Sequence, residues 1–308
     1  RLIQERQNGR LRFRREALVN RRKVRLMDLL GNLRVVLFLP EDVQLVTGSP
    51  SKRRRFINIT LCQIDPSYCR TLSSYNKTLE QRNATLRHLA EAGGGHDVLD
   101  IFSDRLANQG AQIFAKRLQF FNEIAQESQR IHYEELTNGA ETLKLHYTPH
   151  LGWDNARTND SLTDWLNWQQ DKEKLASHIE GQFQQALQEA KGKDLVRCTT
   201  SVGPHRDDWR FEVNGRNLAN FGSRGQQRSA MLALKLAEIR WMTAQTGESP
   251  ILLLDEVVAE LDQHRRAQLL QTIQQSEQAI LTATDPAMFT TTFLQQATTF
   301  QVENGRLK

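Results

Sequence analysis

The chain has 308 residues, of which 39% are hydrophobic and 25% charged, values typical of a globular protein and not of a disordered or fibrous one. Its longest apolar runs, Val35–Leu39 and Ile251–Leu254, are far shorter than the roughly 20 residues of a membrane-spanning helix, so we expect no transmembrane segment. The first residue is Arg1, and the first methionine, Met27, lies inside a segment with structured patterning. We therefore expect that the start of the natural protein was processed or is missing here.

The net charge of +5 is distributed unevenly along the chain. Residues 1–55 contain 15 lysines and arginines against five acids, a balance of +10, so residues 56–308 sum to −5. A basic segment attracts polyanions such as DNA or nucleotide phosphate, although alternating arginines are also typical of the solvated face of a sheet. The pattern indicates a phosphate-binding surface and leaves the solvated face as the alternative.

The three cysteines, Cys62, Cys69 and Cys198, form an odd and sparse set without a Cys-x-x-Cys spacing. This argues against both a disulfide framework and a zinc site. We expect unreactive thiols in a cytoplasmic protein.

In the first half of the chain, apolar and basic residues alternate over residues 11–25, which predicts a hairpin with one buried face. A short apolar strand follows at Leu33–Leu39 and ends at Pro40, and Pro50 suits the first turn of a helix.

Two long helices are predicted next. Ser73 and Ser74 are candidates for the cap of the first, the glycines at 93–95 separate the two, and the second runs from about Asp97 to Arg130, with a bend at Gly110. At 1.5 Å per residue the second helix would be roughly 50 Å long. Together the helices predict an antiparallel arm.

In the second half, helical and strand patterns alternate, which predicts an α/β layer with parallel strand pairing. The predicted elements are a strand at 142–147, an irregular connection at 149–170, a helix at 175–191, strand-like residues at 199–213 interrupted by GPHRDD, a helix at 224–245, a strand at 251–254, a helix at 263–277 and a strand at 279–282.

The run ILLLDE places Asp255 and Glu256 directly after a buried parallel strand, where α/β proteins bind ligands. A carboxylate at Asp255 can hold Mg²⁺, and one at Glu256 can orient or deprotonate a water that attacks a γ-phosphate. Apolar strands that end in Asp-Glu are also common without such a role.

A Gly/Ser turn runs into a patterned helix at FGSRGQQRSAMLALKLAE. The backbone N–H groups and the Ser223 hydroxyl would lie at a helix N-terminus, which favours an anion, although Ser223 can equally be an ordinary helix cap.

Taken together and in this order, SRGQQ, LLLDE and AELD resemble the signature, Walker B and D-loop series of ABC-type ATPases, in which two heads sandwich ATP. The resemblance implies that Asp255 serves Mg²⁺, that Glu256 is the catalytic carboxylate, and that Asp262 lies at the dimer seam. It also implies that the signature residues of one head act in trans on the ATP of the other: Ser223, Gly225 and Gln226.

The segments LFLPEDVQLVTGSPSKRRRF (37–56) and SVGPHRDDWRFEVNGR (201–216), with a helical arm between them, resemble the RecF family over essentially the whole chain. The resemblance implies an α/β fold: an ABC/SMC-like P-loop ATPase head built from both chain ends, with an inserted α-helical arm. We expect head residues at 1–70 and 141–308 and the arm at 71–140.

The same resemblance implies an ATP- and Mg²⁺-dependent DNA-binding protein of DNA replication, recombinational repair and the SOS response. Such a protein dimerises on ATP, binds single-stranded or gapped DNA, and works with the RecO and RecR proteins to load recombinase. Hydrolysis, by a weak DNA-dependent ATPase, releases the dimer.

The sequence departs from the family pattern at three places. It has no Gly-x-x-x-x-Gly-Lys-Ser/Thr phosphate loop, which in the family lies upstream of this chain's start, so we expect these 308 residues to bind ATP weakly or not at all. Gly222 and Arg224 stand where transporters carry Leu and Gly, and Thr284-Asp285 stands where transporters have a switch histidine. The alternative is a non-catalytic DNA-binding scaffold; the arm disfavours a transporter subunit.

Several basic side chains are left with two interpretations each. One interpretation of the basic cluster at the predicted helix start is that it binds DNA or nucleotide phosphate. The other is that its arginines form ion pairs with Glu41 and Asp42. For His205 and Arg206 in GPHRDD, one interpretation is contact with nucleotide or DNA, and the other is that they brace the turn beside Asp207 and Asp208. These residues are Lys52, Arg53, Arg54 and Arg55 in the cluster, and His205 and Arg206 in the loop.

Overall fold

The computed structural model describes residues 2–7, 10–25, 29–151 and 172–307. Its strands are β1 (Leu2–Gln7), β2 (Arg10–Arg15), β3 (Ala17–Val19), β4 (Arg22–Val24), β5 (Val35–Phe38), β6 (Leu143–Thr148), β7 (Asp208–Val213), β8 (Arg216–Asn217), β9 (Ile251–Asp255), β10 (Ala279–Thr282), β11 (Val302–Glu303) and β12 (Arg306–Leu307). Its helices are α1 (Gln44–Thr47), α2 (Pro50–Ile64), α3 (Pro66–Ala92), α4 (His96–Arg130), α5 (Lys172–Arg197), α6 (Leu218–Phe221), α7 (Arg224–Thr246), α8 (Gln263–Gln275) and α9 (Thr291–Gln295), with short 3-10 helices at Pro40–Val43, Val257–Glu260 and Pro286–Met288 and a π-helical segment at Ile131–Leu136.

The central sheet joins distant parts of the chain. Its strand order is β10-β9-β5, and both pairings are parallel, as the sequence predicts. Strand β5 pairs Val36 with Leu252 and Phe38 with Leu254, and all four side chains are buried. The alternate positions are less buried: Leu37 is 41% exposed and Leu253 is intermediate, so in the described residues one face of these strands is buried more completely than the other. The pairing confirms a head built from both chain ends.

Two hairpins occupy the basic N-terminal segment, where one was predicted. Strand β1 pairs with β2, and β3 pairs with β4 around a turn in which Asn20 and Arg21 have φ of 48° and 66°. Positive φ at both central residues matches the right-handed twist of a tight hairpin. A separate antiparallel sheet, β6-β7-β8, lies later in the chain.

The helical arm begins earlier than predicted. Helix α3 starts at Pro66, and Asp65 caps it by accepting hydrogen bonds from the backbone N–H groups of Ser67 and Tyr68. The prediction that Ser73 or Ser74 caps this helix is therefore wrong, because an Asp followed by Pro is the stronger start signal.

The glycine turn between the arm helices is confirmed. Gly93, Gly94 and Gly95 all have positive φ, and α4 follows for 35 residues. Gly110 has a packing role in α4, since a Cβ added there would lie 2.3 Å from Phe183 Cε1 of helix α5. Helix α4 packs against both α3 and α5.

Of two later predictions, one is wrong in part and the other falls mostly on residues outside the described part of the chain. The residues 199–207 form no strand; β7 begins only at Asp208, after the GPHRDD loop. Of the irregular connection predicted for 149–170, residues 152–170 lie outside the described part of the chain.

One hydrophobic core connects the sheet to the arm helices. It contains Phe38 and Leu254 of the sheet as well as Phe114 and Ile124 of α4. Among the described residues, a small separate cluster of Leu86, Leu89 and Leu99, with Leu195 of α5 packed against it, lies near the glycine turn. The C-terminal two-thirds of α4 is thus part of the main body. Among the described residues, no helix combines the length and apolarity required to cross a membrane.

Candidate functional site

The carboxyl edge of the central sheet presents two acidic side chains. Asp255 is the last residue of β9, Glu256 follows it, and both are exposed. Glu256 has φ of 52°, a left-handed conformation that costs a non-glycine residue roughly 1 kcal/mol or more. This conformation ends the strand and leads into the 3-10 helix that follows.

A hydroxyl on the neighbouring strand holds this pair in place. Thr282, the last residue of β10, lies opposite Asp255 in the parallel register. Its Oγ1 donates a hydrogen bond to Asp255 Oδ1 over 2.6 Å and accepts one from the Glu256 backbone N–H over 3.1 Å. One side chain therefore fixes both the carboxylate of the first acid and the backbone of the second.

The second carboxylate oxygen of Asp255 and the Glu256 side chain accept no hydrogen bond from the described residues. Carboxylate oxygen is what Mg²⁺ prefers, and Mg²⁺ sites commonly use one or two carboxylates with substrate phosphates and water. Nowhere in the described ranges do three His, Cys, Asp or Glu side chains cluster as a complete metal site. The edge fits an ion that brings its other ligands with it.

The N-terminus of α7 is closed by a reciprocal cap. The Ser223 hydroxyl accepts from the Gln226 backbone N–H (3.2 Å), and the Gln226 side chain accepts from the Ser223 backbone N–H (2.9 Å). The Gln226 amide also donates to Glu141 over 2.7 Å. Ser223 is therefore the cap of this helix, as one of the two interpretations of the sequence expected. A Cβ added at Gly225 would meet only Ser223 Oγ, at 3.9 Å, so the first turn is open on that side.

Two further contacts organise the residues after β9. Asp262 caps α8 by accepting from the Arg265 backbone N–H, and this hydrogen bond, with the adjacent Arg265 guanidinium, holds the pKa of Asp262 below its usual range. Arg228 of α7 donates to the carbonyl of Glu260 and pairs with its carboxylate. The start of α7 is therefore tied to the segment that follows the acidic pair.

The basic side chains at the start of α2 differ in burial: one is buried in an ion pair, and the others are more accessible to solvent. Arg53 is buried and pairs through two nitrogens with Asp208, at 2.7 and 3.0 Å, while it also donates to the Gly48 carbonyl. Its ion pair is therefore with Asp208 and not with Glu41 or Asp42. Lys52 and Arg55 are exposed, and Arg54 is half-buried and donates to the Asp207 carbonyl over 2.6 Å.

The GPHRDD loop is held by a buried ion pair. The Asp207 carboxylate accepts from Arg117 of α4 (2.7 Å), from the Tyr147 hydroxyl and from the His150 backbone N–H (2.9 Å). Arg117 and Asp207 are 1% and 0% exposed, respectively. Burial raises the pKa of Asp207, and the Arg117 guanidinium opposes that shift.

His205 and Arg206 both brace the loop on the carbonyl of Thr200. Because that carbonyl can only accept, His205 Nε2 carries the hydrogen, and Nδ1 accepts from the Tyr75 hydroxyl over 2.7 Å. Burial lowers the pKa of His205 to about 4, so the ring is neutral at physiological pH. The bracing interpretation describes His205, while Arg206 is also exposed to solvent.

Curated proteins resemble this chain over most of its length, although no protein-family model matches it. The DNA replication and repair protein RecF of Acetivibrio thermocellus is 37% identical over 279 residues, covering 91% of this chain and 70% of the relative. That of Chloroflexus aggregans is 40% identical over 294 residues, covering 94% and 70%.

The chain belongs to the RecF family.

Solved RecF structures share the fold. One described as the recombination mediator protein RecF-ATPrS in the RecFOR pathway superposes with a TM-score of 0.79 at 29% identity, covering 97% of this chain and 73% of the other. A second, described as RecF-ATP, gives a TM-score of 0.73 at 30% identity, with 91% and 69% covered. The α/β architecture expected from the sequence is therefore that of RecF.

In this RecF family member, two site features went unpredicted. Thr282 was identified only as the end of a strand, although the expected parallel pairing with β9 would have placed it beside Asp255. Arg117 occupies a core-facing position of α4 between Phe114 and Leu118, where an arginine signals a buried acidic partner. Its partner is 90 residues away, so only the fold reveals it.

Proposed function

We propose that this RecF family member is an ATP-dependent DNA-binding protein of DNA replication and recombinational repair. ATP and Mg²⁺ bind at the carboxyl edge of the central sheet, and two copies close around the nucleotide. The observation that carries the proposal is the exposed Asp255–Glu256 pair, held by Thr282 at the end of a buried parallel strand. The RecF structures that share this fold include ones named for ATP and ATPrS.

In this proposal the two acids have different tasks. Asp255, with one oxygen held by Thr282, offers the other to Mg²⁺, which would neutralise charge on the nucleotide phosphates. Glu256, whose backbone is turned away from the strand, orients or deprotonates the attacking water. The hydrogen bonds of Thr282 hold both residues in position.

The dimer proposal involves the first turn of α7 and Asp262. Ser223, Gly225 and Gln226 at the start of α7 act in trans on the nucleotide of the partner copy, and the cap described above pre-organises that turn. Asp262 lies at the seam. Hydrolysis removes the bridging phosphate, so the dimer and its grip on DNA are released by a loss of differential affinity.

DNA is contacted by exposed basic residues, which provide no sequence readout. Lys52, Arg55 and Arg206 are exposed, and they add to the basic N-terminal segment. We assign gapped or single-stranded DNA, and the RecO and RecR proteins, as partners; the name of the matched structure, which refers to the RecFOR pathway, supports this. The three free thiols are consistent with a cytoplasmic location.

The domain division belongs to the same proposal. Residues 1–70 and 141–308 form the head and residues 71–140 the arm, although the first arm helix already begins at Pro66 and the C-terminal two-thirds of α4 packs into the main core. The parallel pairing of β5 with β9 and the packing of α3 on α4 support this division.

The test is the substitution Glu256→Gln, with Glu277→Gln as control because Glu277 is an exposed acid outside the edge. Both substitutions are made in a version of the protein that also carries the phosphate-loop segment of the family, because these 308 residues lack that motif. With saturating Mg–ATP and gapped DNA, E256Q should sediment as a DNA-bound dimer that outlasts the wild-type dimer, whereas E277Q should match wild type. A monomeric E256Q under these conditions contradicts the proposed switch.

DNA binding is tested separately by fluorescence anisotropy without nucleotide. Phosphate contacts release counterions, so affinity should fall steeply between about 50 and 200 mM salt. A flat response would mean that the basic segment is only a solvated face. The same titration is then repeated with Mg–ATP. Salt-dependent DNA binding that ATP does not change would support the alternative, a non-catalytic scaffold, which the missing phosphate-loop motif among these 308 residues favours.

A further inference from the structure

A pocket of about 500 Å³ lies between helices α2 and α3 and the GPHRDD loop. Its wall on α2 is one helical face, which includes Arg54, Asn58 and Ile59. Tyr75 of α3 and His205 of the loop line the opposite side. None of the lining residues belongs to the carboxyl edge of the central sheet, so this pocket is distinct from the proposed ATP site.

The pocket presents hydrogen-bond donors without matching acceptors. In the described part of the chain, Arg54 makes one hydrogen bond, to the Asp207 carbonyl, which leaves most of its donors unused. The Asn58 side-chain oxygen accepts from both Tyr68 and Arg117, which fixes the orientation of the amide and leaves its NH₂ group without a described acceptor. Arg55, at the mouth, has no described acceptor either.

Among the residues that the structure describes, no acidic side chain lines this pocket. The two nearest acids are already occupied, since Asp207 is bonded to Arg117 and Asp208 to Arg53. Arg54 is therefore a half-buried cation without a carboxylate partner, and burial, with the neighbouring Arg117 charge, lowers its pKa. Burial of an unpaired charge is costly, and an anion in the pocket would offset that cost.

The remaining lining is mainly apolar, with Ser51, Gln63 and Asn76 as polar members. Leu30, Ile59 and Leu72 line the pocket together with the ring of Tyr75. A volume of about 500 Å³ lies within the range of small-molecule sites, which combine apolar walls with a few polar groups that fix orientation. Two guanidinium groups match a doubly charged phosphate better than a single carboxylate.

We propose that the pocket between α2, α3 and the GPHRDD loop binds a small organic phosphate, with the phosphate on Arg54, Arg55 and Asn58 and an apolar or aromatic body against Ile59 and Leu72. This site is additional to the proposed ATP edge and does not depend on it. It shares Arg55 with the proposed DNA surface but differs from that surface in being concave and largely apolar.

The experiment is calorimetric titration of the 308-residue chain with adenosine 5′-monophosphate and with inorganic phosphate as probes. Both should bind with one equivalent, and the monophosphate more tightly, because its base and sugar add contacts with the apolar wall. Ile59→Glu places a carboxylate on the exposed part of that wall and should weaken binding about tenfold or more, whereas the matched Ile59→Gln should lose much less. Arg54→Gln should behave like I59E.

Controls separate this site from the others. Asp255→Asn should leave monophosphate binding unchanged if the ATP edge is not involved, and Lys52→Gln should weaken DNA binding but not monophosphate binding. Thermal unfolding of each variant checks that it is folded. Absence of binding by the wild type, or an I59E variant that binds as tightly as I59Q, would overturn the proposal. Displacement of the monophosphate by a short single-stranded oligonucleotide would also overturn it, and would assign the pocket to the DNA surface.

Discussion

Substitution of Arg117 by Met should destabilise the protein strongly and in a pH-dependent manner. Arg117 donates to the Asp207 carboxylate (2.7 Å), the Pro204 carbonyl (2.6 Å), Asn58 Oδ1 (2.9 Å) and the Tyr68 hydroxyl (3.2 Å). Removal of one partner of a fully buried ion pair leaves an uncompensated charge, at a cost of about 3–5 kcal/mol. That is a large fraction of the roughly 5–15 kcal/mol that stabilises an ordinary domain.

The sign of the pH effect follows from Asp207. Burial already raises the pKa of this carboxyl, and the substitution removes the guanidinium that opposes the shift. A group whose pKa is higher in the folded state stabilises the fold below its unfolded pKa, and this contribution is lost as the pH rises through the folded pKa. The deficit of R117M relative to wild type should therefore be smaller at about pH 5 than at about pH 8.

Urea unfolding followed by tryptophan fluorescence measures this deficit. Arg87→Met is the matched control, because Arg87 is an exposed arginine of α3, and its effect should stay within about 0.5 kcal/mol. The double substitution R117M/D207N should recover part of the loss, since it removes the stranded charge. A deficit below about 1 kcal/mol, or one that does not change with pH, would refute the view that this pair is a buried ion pair.

Two further substitutions test local geometry. Thr282→Val removes the hydroxyl that holds Asp255. In a version that also carries the phosphate-loop segment, the Mg²⁺ concentration for half-saturation of ATP-dependent DNA binding should rise several-fold, by about the factor that 1 kcal/mol gives, and Thr282→Ser should restore it. Equal values for both variants would show that the Thr282 hydroxyl does not position Asp255. Gly110→Ala should lower the free energy of unfolding by about 1–3 kcal/mol because its Cβ would lie 2.3 Å from Phe183, whereas Gly181→Ala in α5, with nothing within 4 Å, should be neutral or stabilising in the same urea assay.

The sequence predicts the elements of the head well because their signals are local. Strand β10 has the predicted bounds, and β9 extends the predicted run only by Asp255, because a short apolar run bounded by polar residues is a local signal for a strand. The acidic pair was also predicted, since it directly follows such a strand. The bounds of these strands and the position of the acidic pair are set by residues adjacent in the sequence, so they can be predicted from the sequence.

Partners that are distant in sequence were not predictable in the same way. The alternative partners expected for Arg53 were Glu41 and Asp42, which are nearby in the chain, whereas its actual partner Asp208 is 155 residues away. The double role of His205 likewise depends on Tyr75 of the arm. Hydrogen bonds of this kind are specified by the packing of whole helices, which single-residue patterns do not encode.

Helix α4 belongs to two parts of the molecule at once. Near the glycine turn it packs in a small cluster with α3 and with Leu195 of α5, and Asp100 pairs with Lys191. Further along it enters the main core, and at its end Glu127 and Glu123 bond to Arg240 and Trp241 of α7. Helix α7 is the one whose capped N-terminus opens towards solvent near the acidic edge. Helix α4 is continuous from His96 to Arg130, so one element joins the glycine turn to the contacts with α7. We therefore expect a displacement near the glycine turn to be transmitted along α4 to α7.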